Sequence, residues 1–409
     1  MSKTSEWKTF RFEEFAENVR ETVDPTFEDS ERYIGLEHLD TGSLHIHRWG
    51  TDIILKGKKL RMKKGDILFA KRNAYLRRVS IAPFDGIFSA HGMVLRPKED
   101  VILPEYFPHF LQSEIFFEHA LAISVGSLSP TINWKTLAKQ EFSLPPNNEQ
   151  RRIAEILWAV DDAVEKYRNL REVIQRNQIQ LSISLMNNGL YRNNKNEIEV
   201  ASPFQTKKIN KSISKTWKAY KLFDLIQSAD NGFASGERDE NGIVQLRMNN
   251  ITRSGRFLWK DITRLPENIA DIDMYLLKPG DIVFNNTNSE DLVGKSAYFE
   301  GYCEDVVFSN HFTRIRVKPN VLLPKYLSFW LRSKFFIGLF SRRCQRWVGQ
   351  AAVQIENLLQ LEMLIPPIDE QIEIIKILEL HEQEFRNISS QVEILMVIKK
   401  YLLERLISL

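Results

Sequence analysis

The sequence predicts an α+β protein with two similar globular domains, each β-rich with helices and each followed by a long coiled-coil helix. Three observations predict this fold class. Short motifs of the first half return in the second half about 220 residues later. Each half contains short alternating runs punctuated by Gly and Asp, which are typical of β-strands. Each half then ends in a segment whose apolar residues have helical spacing.

The repeated motifs indicate a duplicated domain. An offset near 220 residues is too long for a solenoid, whose period is about 20–50 residues. Duplication of a whole domain predicts two similar sites held in a fixed relation. The matching segments are 63–69 with 278–284, 88–91 with 308–311, 103–106 with 323–326, and 145–150 with 366–371.

The elements of each copy follow one order. A Trp-Lys-x-aromatic opening, at Trp7 and again at Trp217, leads into the β-rich stretch. Clear strands follow the two Gly-Asp turns, at 67–69 and 282–284. A helix comes next, near 105–123 and 325–340, and Pro lies at or near its first turn. A Gly-containing loop and a Pro-Pro-x-x-Glu-Gln segment close each copy.

Helical spacing begins directly after each Pro-Pro and persists over some five heptads. Each helix of about 35 residues would be roughly 50 Å long, which is too long to hide within one small domain. The stripes therefore predict coiled-coil seams, with ordinary domain-core helices as the alternative. The predicted spacer-helix packing residues are Ile153, Leu157, Val160, Val164, Leu170, Ile174, Leu181, Leu378, Phe385, Ile388, Val392, Leu395 and Leu402.

The predicted boundaries divide the chain into five parts. The first globular domain covers residues 1–150, and the first long helix covers 151–190. A polar linker rich in Asn, Lys and Ser covers 191–216. The second globular domain covers 217–371, and the second long helix covers 372–409.

Composition predicts a cytoplasmic protein. A hydrophobic fraction of 43% with 27% charged residues is ordinary for a soluble globular chain. Cys303 and Cys344 form neither a disulfide framework nor a CxxC metal site. No signal peptide is recognisable at the start, and no apolar stretch reaches the roughly 18 residues of a membrane span.

The sequence contains no recognisable catalytic constellation. It lacks a phosphate-binding loop, a Gly-x-Ser-x-Gly elbow and an Asn-Pro-Pro-aromatic motif for amino-methyl transfer. His45 and His47 have no third ligand at metal spacing, so we expect surface or packing histidines. His91 and His311 recur at equivalent positions, where a hydrogen-bonded structural role is favoured over contact with DNA. We expect neither a catalytic residue nor a metal site.

A basic cluster in the first copy is the main positive signal. Between residues 42 and 80, eleven Lys and Arg stand against two Asp, which gives +9 on a chain whose formal net charge is +3. Such segments suit phosphate contacts and base-edge readout, although a charge run can also be a solvated face. The candidate DNA-binding residues here are Lys56, Lys58, Lys59, Lys71, Arg72, Asn73, Tyr75, Arg77 and Arg78.

Weaker patches lie at comparable places in the second copy. The two copies differ most in these patches, whereas their turns and helices match. This pattern predicts two domains that share one scaffold and recognise different targets. The candidate DNA-binding residues are Arg247, Asn249, Arg253, Asn285, Asn286, Asn288, Lys295, Arg342, Arg343, Gln345 and Arg346.

These features together resemble the specificity subunit of Type I restriction-modification systems. The resemblance covers essentially the whole chain. It is carried by the two Trp-Lys-x-aromatic openings, the two Gly-Asp-Ile-hydrophobic-Phe turns, and the two Pro-Pro-x-x-Glu-Gln segments followed by long helices. The last signature, occurring twice at this spacing, is fairly specific. His381, Glu382, Lys399 and Lys400 interrupt the second apolar stripe, which leaves its seam register open.

The resemblance implies a fold, a function and partners. Two target-recognition domains would be joined by two long antiparallel helices with pseudo-two-fold symmetry. Each domain would read one half of a split double-stranded DNA target, and the helices would set the gap. The subunit would be non-catalytic and without its own cofactor. Two methyltransferase subunits would bring S-adenosylmethionine, and restriction/translocase subunits would use ATP and Mg; no membrane partner is implied.

Three alternatives remain at the level of sequence. One is a fused specificity-methyltransferase or nuclease, which S-adenosylmethionine binding to the isolated chain would reveal. Another is a non-DNA scaffold that carries two protein-binding modules on a coiled coil. DNA binding weakens steeply with salt, whereas apolar docking does not. The third is the specificity subunit of a related fused methyltransferase-nuclease system.

Overall fold

The residues that the computed structural model describes are 7–50, 55–192, 198–199, 217–268 and 271–407. The chain forms two compact units, which we treat separately. The first unit comprises Met1–Asn169 together with Ser389–Leu409, and the second comprises Leu170–Ile388. Each unit mixes β-sheets with helices, which confirms the predicted α+β class.

Among the described residues of the first unit, ten strands and four helices precede the long helix that begins at Asn147. Its strands are β1 (Lys8–Arg11), β2 (Ala16–Val19), β3 (Thr22–Val23), β4 (Tyr33–Ile34), β5 (Lys59–Met62), β6 (Ile67–Phe69), β7 (Val79–Ile81), β8 (Gly86–Phe88), β9 (Met93–Pro97) and β10 (Glu141–Leu144). Its helices are α1 (Phe12–Phe15), α2 (Phe107–Gln112), α3 (Glu114–Ala122), α4 (Trp134–Leu137) and the first part of α5 (Asn147–Asn188). Short 3-10 turns occur at Glu28–Arg32, Leu36–His38 and Ala74–Leu76.

The second unit repeats this content. Its strands are β11 (Tyr191–Arg192), β12 (Ile198–Glu199), β13 (Lys218–Lys221), β14 (Ile226–Asn231), β15 (Ile243–Leu246), β16 (Thr263–Leu265), β17 (Ile282–Asn285), β18 (Thr287–Asn288), β19 (Ser296–Tyr298), β20 (Val306–Phe308), β21 (Phe312–Val317), β22 (Gln345–Trp347), β23 (Gln350–Ala352) and β24 (Glu362–Ile365). Its helices are α6 (Leu222–Leu225), α7 (Ile272–Tyr275), α8 (Pro324–Phe336), α9 (Leu339–Arg343), α10 (Ile355–Leu359) and the first part of α11 (Ile368–Ile407), and a 3-10 turn lies at Met248–Asn250.

Sheet topology confirms the duplication. The four-stranded sheet β2-β9-β6-β7 of the first unit corresponds to β14-β21-β17-β19 of the second. The antiparallel pair β1–β10 corresponds to β13–β24. Each unit also contains one parallel pair, β4–β8 in the first and β15–β20 in the second. The two Gly-Asp strands, β6 and β17, therefore lie at equivalent interior positions of matching sheets.

The predicted mid-domain helices are each broken once. In the first unit Ser113 separates α2 from α3, and its backbone is extended, so it caps α3 by accepting a hydrogen bond from the Phe116 amide. In the second unit Gly338 stands between α8 and α9 with φ of 70°, a left-handed conformation that glycine adopts without strain. Breaks of one residue in the first unit and two in the second leave the helical apolar spacing almost unchanged.

The two long helices are shared between the units. The first unit contains the beginning of α5 and the end of α11, and the second contains the end of α5 and the beginning of α11. In the first unit Ile153, Leu157 and Ile407 are buried in one aromatic-rich core. In the second unit Leu185 and Leu378 are buried in the equivalent core. The helices therefore run antiparallel within each unit, as the resemblance implied.

The predicted seam residues are buried or half-buried, with one exception. Leu170 lies at the unit boundary and is 43% exposed, which corrects its assignment to the seam. The predicted boundaries treated each long helix as a separate part, whereas the compact units divide both helices. The predicted linker 191–216 lies mostly outside the described residues, apart from the antiparallel pair β11–β12.

Candidate nucleic-acid interface

The Gly-Asp turns are fixed in both units by an ion pair between a buried aspartate and a half-buried arginine. In the first unit the Asp66 carboxylate accepts a 2.7 Å hydrogen bond from the Lys63 amide. Two further hydrogen bonds, of 2.6 and 2.9 Å, come from the Arg96 guanidinium. Bidentate pairing of this kind fixes geometry as well as charge. The second unit repeats these contacts with Asp281, Lys278 and Arg316 at 2.8, 2.6 and 2.9 Å.

The Pro-Pro-x-x-Glu-Gln segments act through a fully buried glutamine. Gln150 accepts a hydrogen bond from the Leu103 amide at 2.8 Å, and its own amide donates to the carbonyls of Val101 and Pro145. It thereby joins the start of α5 to the loop before α2. Gln371 makes the same contacts in the second unit with Leu323, Val321 and Pro366, at distances of 2.9 to 3.0 Å.

A strained loop presents the centre of the first basic cluster. Asn73 and Arg77 flank the turn Ala74–Leu76 with φ of 55° and 49°, a region that side chains other than glycine rarely adopt. Arg77 is held by a bidentate ion pair with Glu114. Tyr75 lies exposed at the tip of the loop. Such strain persists only where surrounding contacts enforce it, and it clusters at functional sites.

The remaining candidates of the first cluster fall into two groups. Lys56, Lys58 and Arg72 are exposed and stay candidates for DNA contact. Lys59 is buried and donates to the carbonyls of Lys56 and Gly57. The other half-buried cations are Lys71, whose pKa is lowered by burial, and Arg78, which donates to the Leu36 carbonyl at 3.0 Å.

The second unit exposes a comparable set. Asn249, Arg342, Arg343 and Gln345 are exposed, and Arg247 is half-buried. These residues also stay candidates for contact with DNA. Two other exposed candidates have acidic partners: Arg253 pairs with Asp291 at 2.5 Å, and Arg346 with Glu290 at 2.7 Å.

Four candidates of the second unit are buried, and their donors are used inside the protein. Asn285 donates to the carbonyls of Thr287 and His311. Lys295 donates to the carbonyls of Met248 and Ile251 at 3.0 and 2.7 Å. These contacts correct the assignment of the four residues to the DNA surface and give them a structural role. The other two are Asn286, which donates to the Thr313 hydroxyl, and Asn288, which donates to the Asn285 side chain.

Sequence reasoning missed a projecting finger in each unit. The second finger, residues 345–352, is the hairpin β22–β23, whose turn residues are Val348 and Gly349. The first finger, residues 125–131, is closed by two hydrogen bonds between Val125 and Thr131, at 3.0 and 2.9 Å. Both fingers end in exposed apolar side chains, which are Leu128 in the first and Trp347 and Val348 in the second. The sequence signal was a Val-Gly pair in the loop after the mid-domain helices of each copy, Val125-Gly126 and Val348-Gly349.

The comparison with known protein families decides the identity. The model of the Type I restriction modification DNA specificity domain matches the chain twice, at residues 4–176 and 214–395. The chain belongs to this family. The two matches confirm the resemblance, and we call them the first and second specificity domains.

Curated relatives agree with this assignment. The chain is 32% identical over 47% of its length to the putative type I restriction enzyme MjaX specificity subunit of Methanocaldococcus jannaschii, covering 46% of that protein. It is 23% identical over 73% of its length to the type I restriction enzyme EcoKI specificity subunit of Escherichia coli, covering 62% of that protein. The chain thus spans about half to two thirds of these two relatives.

A solved structure supports the fold. A Type-I restriction-modification system S subunit from M. genitalium matches with a TM-score of 0.58 and 13% identity, over 100% of this chain and 97% of that one. At this identity the likeness concerns the fold alone. No helix in the described parts of this specificity-domain protein is long and apolar enough to cross a membrane.

A buried charged cluster fastens a loop of the first specificity domain to the long helices. The Lys399 ammonium of α11 lies against the Asp161 carboxylate of α5 and donates to the Gly42 carbonyl at 3.1 Å. His45 contacts the same carboxylate at 2.6 Å, and His47 contacts Glu165 at 2.9 Å. The two histidines thus have structural roles, and no metal-binding group occurs within the described ranges.

The ionisation of this cluster follows from its contacts. Burial alone would raise the pKa of Asp161, but the hydrogen bond from His45 and the Lys399 ammonium lower it to about 2. The hydrogen bond to Asp161 raises the pKa of His45, against the effect of burial. Burial lowers the pKa of the neighbouring His109 to about 3, so its imidazole is neutral. Its ring lies 4.7 Å from that of Trp158.

We expect the stability of the first specificity domain to fall on both sides of a pH near 6.5. Above it, the stabilisation by protonated His45 is lost as pH rises through the raised folded pKa. Below it, His109 is protonated in the unfolded chain but stays neutral in the folded chain. This difference lowers the free energy of unfolding by about 2 kcal/mol at pH 5. Thermal unfolding measured across pH 5–9 gives both the acid limb and the alkaline limb of this stability profile.

Two variants separate the limbs. His109→Phe should flatten the acid limb, because phenylalanine does not titrate. Phe329 occupies the equivalent position of the second domain, which makes phenylalanine a suitable replacement. His45→Gln should flatten the alkaline limb, because glutamine does not titrate. Unchanged limbs in both variants would show that other groups control the pH dependence.

Proposed function

We propose that this chain is the DNA-recognition subunit of a Type I restriction-modification complex. Each specificity domain reads one half of a split target, and the long helices define the gap between the halves. The chain itself does not catalyse methylation or cleavage. It directs the adenine methyltransferase and restriction subunits to the target.

The contrast between a repeated frame and diverged surfaces carries this proposal. Both domains contain the Asp–Arg pair at the Gly-Asp turn, with its aspartate buried, and the buried glutamine at the start of the long helix. The loops on that frame differ: Arg72 and Tyr75 are exposed in the first domain, whereas Asn286 and Asn288 in the matching loop of the second are buried. Two domains that share one scaffold but carry different exposed polar loops are suited to recognising two different half-sites.

The proposed protein partners are two methyltransferase subunits, together with restriction/translocase subunits. In the first unit α11 exposes apolar side chains at Ile394, Val397, Ile398 and Tyr401. Their spacing of three, four and seven residues forms one helix face. Such a face suits the apolar side of a partner helix. This surface supports the proposal that the long helices dock methyltransferase subunits.

The cofactors and the compartment follow from the same proposal. S-adenosylmethionine would be bound by the methyltransferase subunits, and ATP and Mg by the restriction subunits. The complex would act in the cytoplasm, where bacterial and archaeal DNA lies. The free thiols of Cys303 and Cys344 are compatible with a reducing compartment.

Methylation mapping tests the function directly. The full chain is co-expressed with a candidate methyltransferase subunit from the same source, and adenine methylation is mapped on the host DNA by single-molecule sequencing. We expect one split motif, with a defined sequence on each side of an unspecified gap. A contiguous motif, or no methylation that depends on this chain, would contradict the proposal.

Binding to DNA distinguishes the remaining alternatives. The affinity of the purified complex for a duplex should fall steeply with salt, with a logarithmic slope of about 0.9 per phosphate contact. A salt-independent association with protein alone would favour the non-DNA scaffold. Binding of S-adenosylmethionine by the isolated chain would favour a fused enzyme.

A further inference from the structure

The two fingers share an unusual surface property. Leu128 at the tip of the first finger is 94% exposed, and Val348 at the tip of the second is 105% exposed. Trp347 beside it is 58% exposed, although a large aromatic side chain is usually buried for most of its area. Exposed apolar residues in the loop that follows the mid-domain helices of both copies indicate a shared task rather than isolated surface residues.

Both fingers are rigidly anchored at the base. In the second, β23 pairs with β18, and the Val353 amide donates to the Asn286 carbonyl at 2.8 Å. In the first, Thr131 forms bridges to both Val125 and Arg72. The Ile132 amide next to it donates to the Lys71 carbonyl at 3.0 Å. The buried residues Asn286 and Asn288 thus lie beside and within β18, the strand to which the second finger is paired.

The surroundings of the fingers are cationic. The first finger is bonded to the loop that carries Lys71 and Arg72, within the basic cluster. The second follows the exposed residues Arg342 and Arg343, while Arg346 on its first strand is paired with Glu290. A protein-docking site of standard size buries about 800 Å² on each partner, far more than a two-residue tip offers. Instead, a narrow apolar tip that is hydrogen-bonded at its base and lies near cations resembles the apolar side chains that some proteins insert between DNA base steps.

We propose that each finger is a wedge that inserts its apolar tip between neighbouring base pairs, one finger in each half-site. This inference rests on the proposed function. The flanking cations contact phosphates on either side, and the tip unstacks one base step. Trp347 stacks on an exposed base face, while Leu128 acts by filling the opened space. Each half-site would then be selected partly by how easily its step opens, without a base-edge contact at that step.

Local unstacking gives a direct measurement. The complex of the full chain with its methyltransferase subunits is bound, without S-adenosylmethionine, to duplexes that contain the mapped target. 2-Aminopurine replaces one base at a time, because its fluorescence rises several-fold when it is unstacked. We expect a rise at one step in each half-site, apart from the adenine that is methylated.

Matched variants assign each signal to a finger. Trp347→Ala with Val348→Ala should abolish the signal of one half-site and weaken binding roughly tenfold or more, as expected for a lost stacking contact. Leu128→Ser should abolish only the signal of the other half-site. Gln350→Ala, an exposed polar position of the same hairpin, should change neither. Because all these side chains are exposed, thermal unfolding should stay unchanged.

Four results would overturn the wedge. A fluorescence rise that persists in the Trp347/Val348 variant would place the unstacking elsewhere. Bound wild-type complex with no rise beyond the methylated adenine would exclude wedging while leaving the proposed function intact. Failure of the variant to assemble with methyltransferase subunits would identify the tip as a protein contact. A wild-type complex that binds no DNA would remove the proposed function and the wedge together.

Discussion

Replacing Asp161 by alanine should destabilise the first unit by about 3–5 kcal/mol, because it leaves a buried ammonium without its counter-ion. Lys399 and Asp161 are both almost fully buried, and they join α11 to α5. The substitution also removes the partner of His45, which fixes the loop around Gly42 to the helices. No exposed substitution should have a comparable effect.

A double variant provides the control for this prediction. Asp161→Leu combined with Lys399→Met replaces the ion pair by apolar side chains, and stability should return to near or above that of the parent. Because a two-unit chain need not unfold in one step, hydrogen exchange of α5 and α11 should accompany urea unfolding. A loss below about 1 kcal/mol for Asp161→Ala would contradict the role of the pair.

Replacing Gln371 by leucine should destabilise the second unit by about 3 kcal/mol or more, since it removes three hydrogen bonds to backbone groups. The side chain is fully buried and satisfies the Leu323 amide and the carbonyls of Val321 and Pro366. Leucine fills a similar volume but can neither donate nor accept. Urea unfolding with hydrogen exchange of α8 and the start of α11 would measure the loss.

The chain contains two comparisons for this variant. Gln150→Leu should cause an equal loss in the first unit, where the same three contacts occur. Gln383→Leu, on the exposed face of α11, should change stability by less than about 0.5 kcal/mol. If Gln371→Leu and Gln383→Leu proved equivalent, the buried hydrogen bonds would not explain the repeated motif.

The duplicated frame was predictable because its motifs recur in both copies of the sequence. Gly65 and Gly280 occupy left-handed turns, with φ of 92° and 101°, so the same residue recurs at both places. The glutamines at 150 and 371 recur because each must satisfy the same three backbone groups. Helical spacing likewise gave the long helices, and the structure added only that both are divided between units.

Burial of polar side chains was not predictable from one sequence. An asparagine side chain is able to form hydrogen bonds equally well with DNA bases and with groups of the protein itself. The residue type of Asn285 and Asn288 therefore does not decide whether they are exposed for DNA or buried. Lys399 interrupts the apolar stripe of α11, yet it is buried because its counter-ion lies in another helix, far away in the chain. The exposed candidates, such as Arg72 and Arg343, stay predictions until DNA contacts are measured.

The division of the long helices between units has a consequence for biosynthesis. The second unit is one continuous stretch, Leu170–Ile388, whereas the first needs Ser389–Leu409 as well. On the ribosome the core of the earlier-made domain therefore lacks Ile407 and the side chains of Leu402, Leu403 and Leu406 until residues 389–409 have emerged. Domains usually complete in order of synthesis, N-terminal first. Here a segment made after the whole second unit completes the first unit, so the second unit can finish folding before the first does.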